Sequence, residues 1–176
     1  MVLAQELGEE GSVVRRRVSE ANEKEISTLA VGVKRLLSEL DKNRIADLKI
    51  VFEPLNTRLD HPGYAVASLE TAWRLYNTVQ DRRFGILVDL YHQSMSGNDI
   101  KVNLRRYAPM ISYIHAADAP GRHEPGTGTI EWNQVFETLL EINYDGYVGF
   151  EFSPAQESER ALERIRGLWE SSLGSV

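Results

Sequence analysis

Four times along this chain a short apolar, β-rich run is followed by a helical stripe, and that alternation limits the fold more than any other feature. The strand-like runs are Leu48-Lys49-Ile50-Val51-Phe52, Phe84-Gly85-Ile86-Leu87-Val88, Met110-Ile111-Ser112-Tyr113-Ile114 and Tyr147-Val148-Gly149-Phe150. Between them Leu69, Ala72, Trp73, Tyr76 and Val79 recur at helical spacing. Ile100, Leu104 and Tyr107 do the same, as do Val135, Phe136, Leu139 and Leu140. Apolar residues at three- and four-residue steps give a helix one buried face. Strands alternating with helices imply a parallel sheet with right-handed crossovers. From Leu48 onward each strand–helix unit takes roughly 32 residues, close to the roughly 31 of an eightfold (β/α) barrel. The fold class is therefore α/β, and the spacing fits half of such a barrel.

A helix precedes the first strand. Ile26, Leu29, Ala30, Val33, Leu36, Leu37 and Leu40 mark its apolar stripe from Glu23 to about Asp41. The expected organisation is an irregular N-terminal segment over 1–22 and a barrel-type body over 23–176. Within the first segment Gly8-Glu9-Glu10-Gly11-Ser12 reads as a loop and Arg15-Arg16-Arg17 as a solvated basic face. The helix ending at Tyr107 should stop before Pro109, because proline disfavours helical geometry in the residue ahead of it. Ser153-Pro154-Ala155-Gln156 predicts the start of the last helix, with Ser as the cap and Pro at the first position. That helix carries Ala161, Ile165, Leu168 and Trp169 along one side.

Composition excludes several functions. Twenty Lys and Arg against 26 Asp and Glu give a net charge of −6, which disfavours general affinity for nucleic acid or anionic membrane. With no cysteine there is no disulfide, thiolate nucleophile or thiolate metal site. That absence fits a reducing, cytoplasmic setting. No apolar run approaches the roughly 18–20 residues of a membrane span, and the opening residues do not read as a signal peptide.

Chemistry gathers where the strands end. Glu53 follows the first strand and Asp89 the second. His115 ends the third, with Asp118 three residues on, and Glu151 follows the fourth. In a parallel βα sheet these ends share one rim, and that rim carries the active site of barrels. One acid at a strand end is ordinarily a loop start or a helix cap. Three carboxylates and one imidazole at equivalent places in consecutive units instead make a ligand set for Mn²⁺, Mg²⁺, Co²⁺ or Zn²⁺.

Three further residues fall near that rim. His92 lies three after Asp89; it reads equally as a surface loop histidine or a substrate contact. Asn56 lies three after Glu53 and is also an ordinary turn residue. Arg122 sits in the proline-stiffened loop from Asp118 to Gly128, where its guanidinium could clamp a carboxylate. Gly126-Thr127-Gly128 is too short and wrongly placed for a dinucleotide fingerprint.

These segments resemble a known family. Phe52-Glu53-Pro54-Leu55-Asn56, Val88-Asp89-Leu90-Tyr91-His92, the long run from Ile114-His115 through Asp118-Ala119-Pro120-Gly121-Arg122-His123-Glu124-Pro125-Gly126-Thr127-Gly128, and Gly146-Tyr147-Val148-Gly149-Phe150-Glu151-Phe152 look like the hydroxypyruvate isomerase family. That family belongs to the xylose-isomerase-like sugar isomerase and epimerase barrels. The resemblance runs from about Leu48 to Pro154. It implies a partial TIM (β/α)₈ barrel: its last four units, preceded by a helix. It also implies Glu53, Asp89, His115 and Glu151 as ligands of a divalent metal ion, with Mn²⁺ or Mg²⁺ foremost. Glu53 and Glu151 match the family's acid–base pair. His92, Arg122 and Asn56 fall at substrate-binding positions.

The implied reaction moves a carbonyl through an enediolate, from hydroxypyruvate to tartronate semialdehyde or on a similar small hydroxycarbonyl acid. A ketose 3-epimerase or another sugar isomerase of the same superfamily is the alternative. A DNA-repair endonuclease of this barrel type would need a histidine-rich trinuclear zinc site, and four histidines with a net charge of −6 speak against it. The remaining alternative is a truncated, non-catalytic half-barrel. Its inner-face Val51, Val88 and Phe150 would then be exposed, favouring self-association or pairing with a missing N-terminal half.

Overall fold

A computed structural model of the chain describes residues 20–173. The Gly8–Ser12 loop and the Arg15–Arg17 cluster lie outside the described residues. Among the described residues six α-helices, one 3₁₀ turn and four strands follow in the order α1 (Glu23–Lys42), β1 (Ile50–Phe52), α2 (Leu69–Val79), β2 (Phe84–Asp89), α3 (Leu90–Met95), α4 (Ile100–Tyr107), the 3₁₀ turn Ala108–Met110, β3 (Ile111–Ala116), α5 (Trp132–Glu141), β4 (Tyr147–Phe150) and α6 (Ser158–Leu173). The strands form one sheet in the order β1-β2-β3-β4, with β1–β2 and β3–β4 paired parallel. This is the α/β arrangement of a partial TIM barrel. No helix among the described residues is long and apolar enough to cross a membrane.

The chain divides into two compact units, Met1–Ile86 and Leu87–Val176, with the boundary inside β2. In the first unit α1 packs against α2. Ile26, Ala30, Val33 and Leu37 are buried on α1, and Leu69, Ala72, Leu75 and Val79 on α2. Of the stripe at three- and four-residue steps α1 buries these four, while Leu29 and Leu40 are half-buried and Leu36 is exposed. Asn22 begins α1 with a reciprocal cap. Its side chain accepts from Glu25 N at 3.1 Å, and the Glu25 carboxylate accepts from Asn22 N at 2.8 Å. Ser68 caps α2 by accepting from Thr71 N at 3.1 Å.

In the second unit β3 runs beside β4, in register from Tyr113↔Tyr147 to Ala116↔Phe150. Outside this pair α4 packs on α5 and α5 on α6. Trp132 and Phe136 of α5 have ring centroids 5.9 Å apart, and Trp169 of α6 meets Phe136 edge-on at 5.3 Å. All six residues of β2 are buried, as expected for a parallel strand covered on both faces.

Several expectations are corrected. The last helix begins at Ser158, five residues beyond Ser153. The amides that would have started it are engaged elsewhere: Ser153 N donates to Arg122 O and Ala155 N to the Glu124 carboxylate. The segment after β2 holds two helices instead of one, because Asp89 caps a first helix and Asp99 a second. Pro109 ends α4 but sits inside the 3₁₀ turn, which tolerates it. Of the three residues that a half-barrel would expose, Val51 and Phe150 are exposed and Val88 is buried.

Asn22→Ala removes the side-chain half of the α1 cap, the acceptor for Glu25 N, and leaves the backbone N–H that donates to the Glu25 carboxylate. The expected cost is about 1 kcal/mol, read as a lower urea midpoint at unchanged m-value.

Candidate functional site

Strand periodicity sets the site in the second unit. Tyr113 and His115 lie two apart and face the same way, and His115 is in register with Gly149. Glu151 lies two residues beyond Gly149, so it follows the same side. Gly149 has to be glycine: a Cβ there would lie 2.7 Å from Tyr113 Oη. Tyr113 in turn stands edge-on to the His115 ring at 5.5 Å. The His115 Nδ1 atom is 3.2 Å from Glu151 Oε2 and 4.0 Å from Asp89 Oδ2.

Asp89 divides its two oxygens. Oδ1 accepts from His92 N at 3.0 Å and so starts α3. Oδ2 faces His115 and Arg122. Asp89, His115 and Glu151 thus offer ligand atoms within 4.8 Å of one another. Two carboxylates and an imidazole are a donor set that suits Mn²⁺, Mg²⁺, Co²⁺ or Zn²⁺, so the group could hold a divalent metal ion.

Arg122 lies on the same oxygens. Its Nη2 donates to Glu151 Oε2 at 2.7 Å and to Asp89 Oδ2 at 3.3 Å. The guanidinium carbon sits over the Tyr91 ring, 4.9 Å from its centroid. The Arg122 backbone is left-handed, with φ +53°. Its N–H donates to Asp118 O, and its carbonyl accepts from Ser153 N at 3.0 Å.

The loop carrying Arg122 is organised by Asp118. Oδ2 accepts from Gly126 N, Thr127 N and Trp132 Nε1, while Oδ1 accepts from Ala119 N and Ile130 N. These five bonds lie between 2.8 and 3.1 Å around a buried carboxylate. Gly128 lies so close that a Cβ would come 2.1 Å from Ala119 O. The loop is tied to the stretch after β4 by His123 Nδ1 to Ser153 O at 2.7 Å and by Ala155 N to Glu124 Oε2 at 2.9 Å. The Ala155 N–H holds the Glu124 carboxyl below its ordinary pKa.

The other anticipated residues fall as follows. Glu53 comes directly after β1 in the first unit, and its carbonyl accepts from Tyr64 Oη at 3.0 Å. Burial first, and the Glu53 carboxylate second, push the Tyr64 phenol upward in pKa. Asn56 is buried and shapes its own turn. Its Oδ1 accepts from Leu59 N and Asp60 N, and its Nδ2 donates to Asp60 Oδ2 at 2.7 Å. His92 is buried on α3 with its ring edge-on to Tyr91 at 5.3 Å. The organising role of Asp118 and the supporting role of Tyr91 were not read from the sequence. An acid followed by a Gly- and Pro-rich stretch was the available sign for Asp118.

Comparisons with known proteins identify the family and the fold. A family model described as xylose isomerase-like TIM barrel matches residues 1–168. The chain is 30% identical over 116 residues to hydroxypyruvate isomerase of Escherichia coli K12, covering 66% of this chain and 45% of that protein. It is 31% identical over 113 residues to 2-oxo-tetronate isomerase of Cupriavidus necator, covering 64% and 43%. A crystal structure of the IolI protein with a zinc atom bound superposes with a TM-score of 0.66 at 20% identity, covering 92% of this chain and 61% of that one. The chain spans about half the length of the curated relatives it matches.

Two outcomes follow from the loop. Asp118→Ala leaves five donors without their acceptor, at an expected cost of about 3 kcal/mol. Hydrogen exchange should show lost protection at Gly126, Thr127 and Ile130. Glu124, whose folded pKa is depressed, contributes stability that is complete above the ordinary carboxylate range and is lost as pH falls through the folded value. Between about pH 7 and about pH 3 the wild-type chain should therefore lose more stability than Glu124→Gln, measured by urea unfolding.

Proposed function

The chain belongs to the xylose isomerase-like TIM barrel family, and from that premise we propose that it carries the metal-binding half of an intramolecular isomerase for small 2-oxo acids bearing a neighbouring hydroxyl. The observation that carries this reading is the meeting of Asp89 Oδ2, His115 Nδ1, Glu151 Oε2 and Arg122 Nη2 in one place. Carboxylates and imidazole suit a divalent cation, and a guanidinium suits a substrate carboxylate. The names hydroxypyruvate and 2-oxo-tetronate both denote 2-oxo acids, which supports that substrate class. A structure of the same fold carries a bound zinc atom, which fits a divalent ion in this reading.

Asp89, His115 and Glu151 would hold the ion, and Glu53, the acid that follows β1, is the fourth ligand in this reading. A bound divalent cation would polarise the carbonyl and hydroxyl oxygens of the substrate and lower the cost of the enediolate. The proton work falls to Glu53 and Glu151. One carboxylate removes a proton from C3 of hydroxypyruvate, giving the enediolate. The hydroxyl proton passes from the C3 oxygen to the C2 oxygen, and a proton is returned to C2, leaving tartronate semialdehyde. Arg122 fixes the carboxylate end, which converts binding into alignment. His92 on α3 and Asn56 in the loop after β1 are assigned to the substrate side in this reading.

The test follows C3–H exchange of hydroxypyruvate in D₂O by proton NMR, with Mn²⁺, with EDTA and without protein. Mn²⁺-dependent exchange is expected, and Glu151→Gln should reduce it by about a hundredfold or more. Exchange no faster than the protein-free control, from chain shown to be folded, would remove the assignment.

A further inference from the structure

A cation already occupies the oxygens on which the metal reading depends. The Arg122 Nη2 atom donates to Glu151 Oε2 and Asp89 Oδ2, and these are the same two atoms that face His115 Nδ1. We propose that Arg122 is the resident counter-ion of the Asp89–Glu151 pair, and that a divalent metal ion binds by displacing its guanidinium. This inference rests on the reading of those carboxylates as metal ligands.

Charge makes the arrangement exclusive. Asp89 has no exposed side chain, and leaving its charge beside a second carboxylate without compensation is unfavourable. In the metal-free protein Arg122 neutralises both. A dication on the same oxygens supplies more charge than the guanidinium and repels it. Both cations cannot keep these contacts.

The loop geometry shows that Arg122 is placed there by construction. A non-glycine residue in the left-handed region is unfavourable and persists only where its surroundings enforce it. Here Asp118 O and Ser153 N hold the backbone from both sides, and Asp118 organises the rest of the loop. The Tyr91 ring supports the guanidinium face. The hold on the carboxylates is nevertheless narrow, since the one nitrogen Nη2 reaches both oxygens. A fork-to-fork pair would be harder to exchange.

Displacement couples two events. Once the ion takes Asp89 and Glu151, the guanidinium is released to take a substrate carboxylate. Metal loading thus makes the anion contact available, and linkage requires the anion to favour the metal in return.

The test measures Mn²⁺ dissociation constants of the full chain by electron paramagnetic resonance, without substrate. Arg122→Met removes the competing charge and should bind Mn²⁺ about tenfold more tightly than wild type. Arg122→Lys keeps the charge and should stay within about threefold of wild type. Equal or weaker binding by a folded Arg122→Met chain overturns displacement while leaving the metal reading intact. Absence of Mn²⁺ binding in every variant overturns both. The wild-type chain supplies a readout that does not depend on a variant's folding. Its Arg122 guanidinium resonances should change on saturation with Mg²⁺, and unchanged resonances in the Mg²⁺-loaded chain overturn the proposal.

Discussion

The site in the second unit depends on one buried carboxylate that does no chemistry. Asp118 accepts five hydrogen bonds from a stretch with no regular structure of its own. A loop cannot satisfy buried amides through helix or sheet ladders, so each needs another partner. Asp118 is that partner for Ala119, Gly126, Thr127 and Ile130, and for the indole of Trp132. Trp132 opens α5, so the same side chain couples the loop to the helix layer. The left-handed backbone at Arg122 and the steric need for Gly128 are consequences of folding the chain around one anion.

That framework explains why the rim can concentrate charge. Asp89, Glu151, His115 and Arg122 sit close together, yet they are held by separate elements. Asp89 is pinned as the cap of α3, His115 by the β3–β4 register and Arg122 by the Asp118 loop. Each element is stabilised by its own backbone bonds and packing.

The legible parts of the sequence were those governed by period. Strand runs and apolar stripes gave the order of elements because a parallel sheet with outer helices repeats the same demand in every unit. Positions at strand ends were legible for the same reason: topology alone puts Asp89, His115 and Glu151 on one rim. What escaped was governed by single long-range contacts. The start of α6 escapes the sequence because Ser153 and Ala155 give their amides to Arg122 O and Glu124, each 31 residues away. The helix α3 was missed because Asp89, read as a ligand, is also a cap. The cap of α1 was visible in Asn22 and Glu25 as the pattern of a capping box, but the apolar stripe alone was used to place that helix. Asn56 shows how one residue can carry two readings: its spacing from Glu53 suggests a substrate contact, and its amide also forms its own turn.

The two rim carboxylates of the second unit differ in a way that divides their roles. Asp89 is fully buried, with one oxygen committed to the helix cap. A group fixed in that way can hold an ion at a constant position, but it cannot follow a proton between carbon atoms. Glu151 lies just beyond β4, with about half of its side chain exposed, and the same Oε2 meets both His115 and Arg122. It keeps the freedom that proton transfer requires, and it sits where the charge of its neighbours can be altered by what binds. In the proposed function the rigid carboxylate is therefore assigned as the anchor and the looser one as the acid–base group, a division that rests on burial rather than on the identity of the acid.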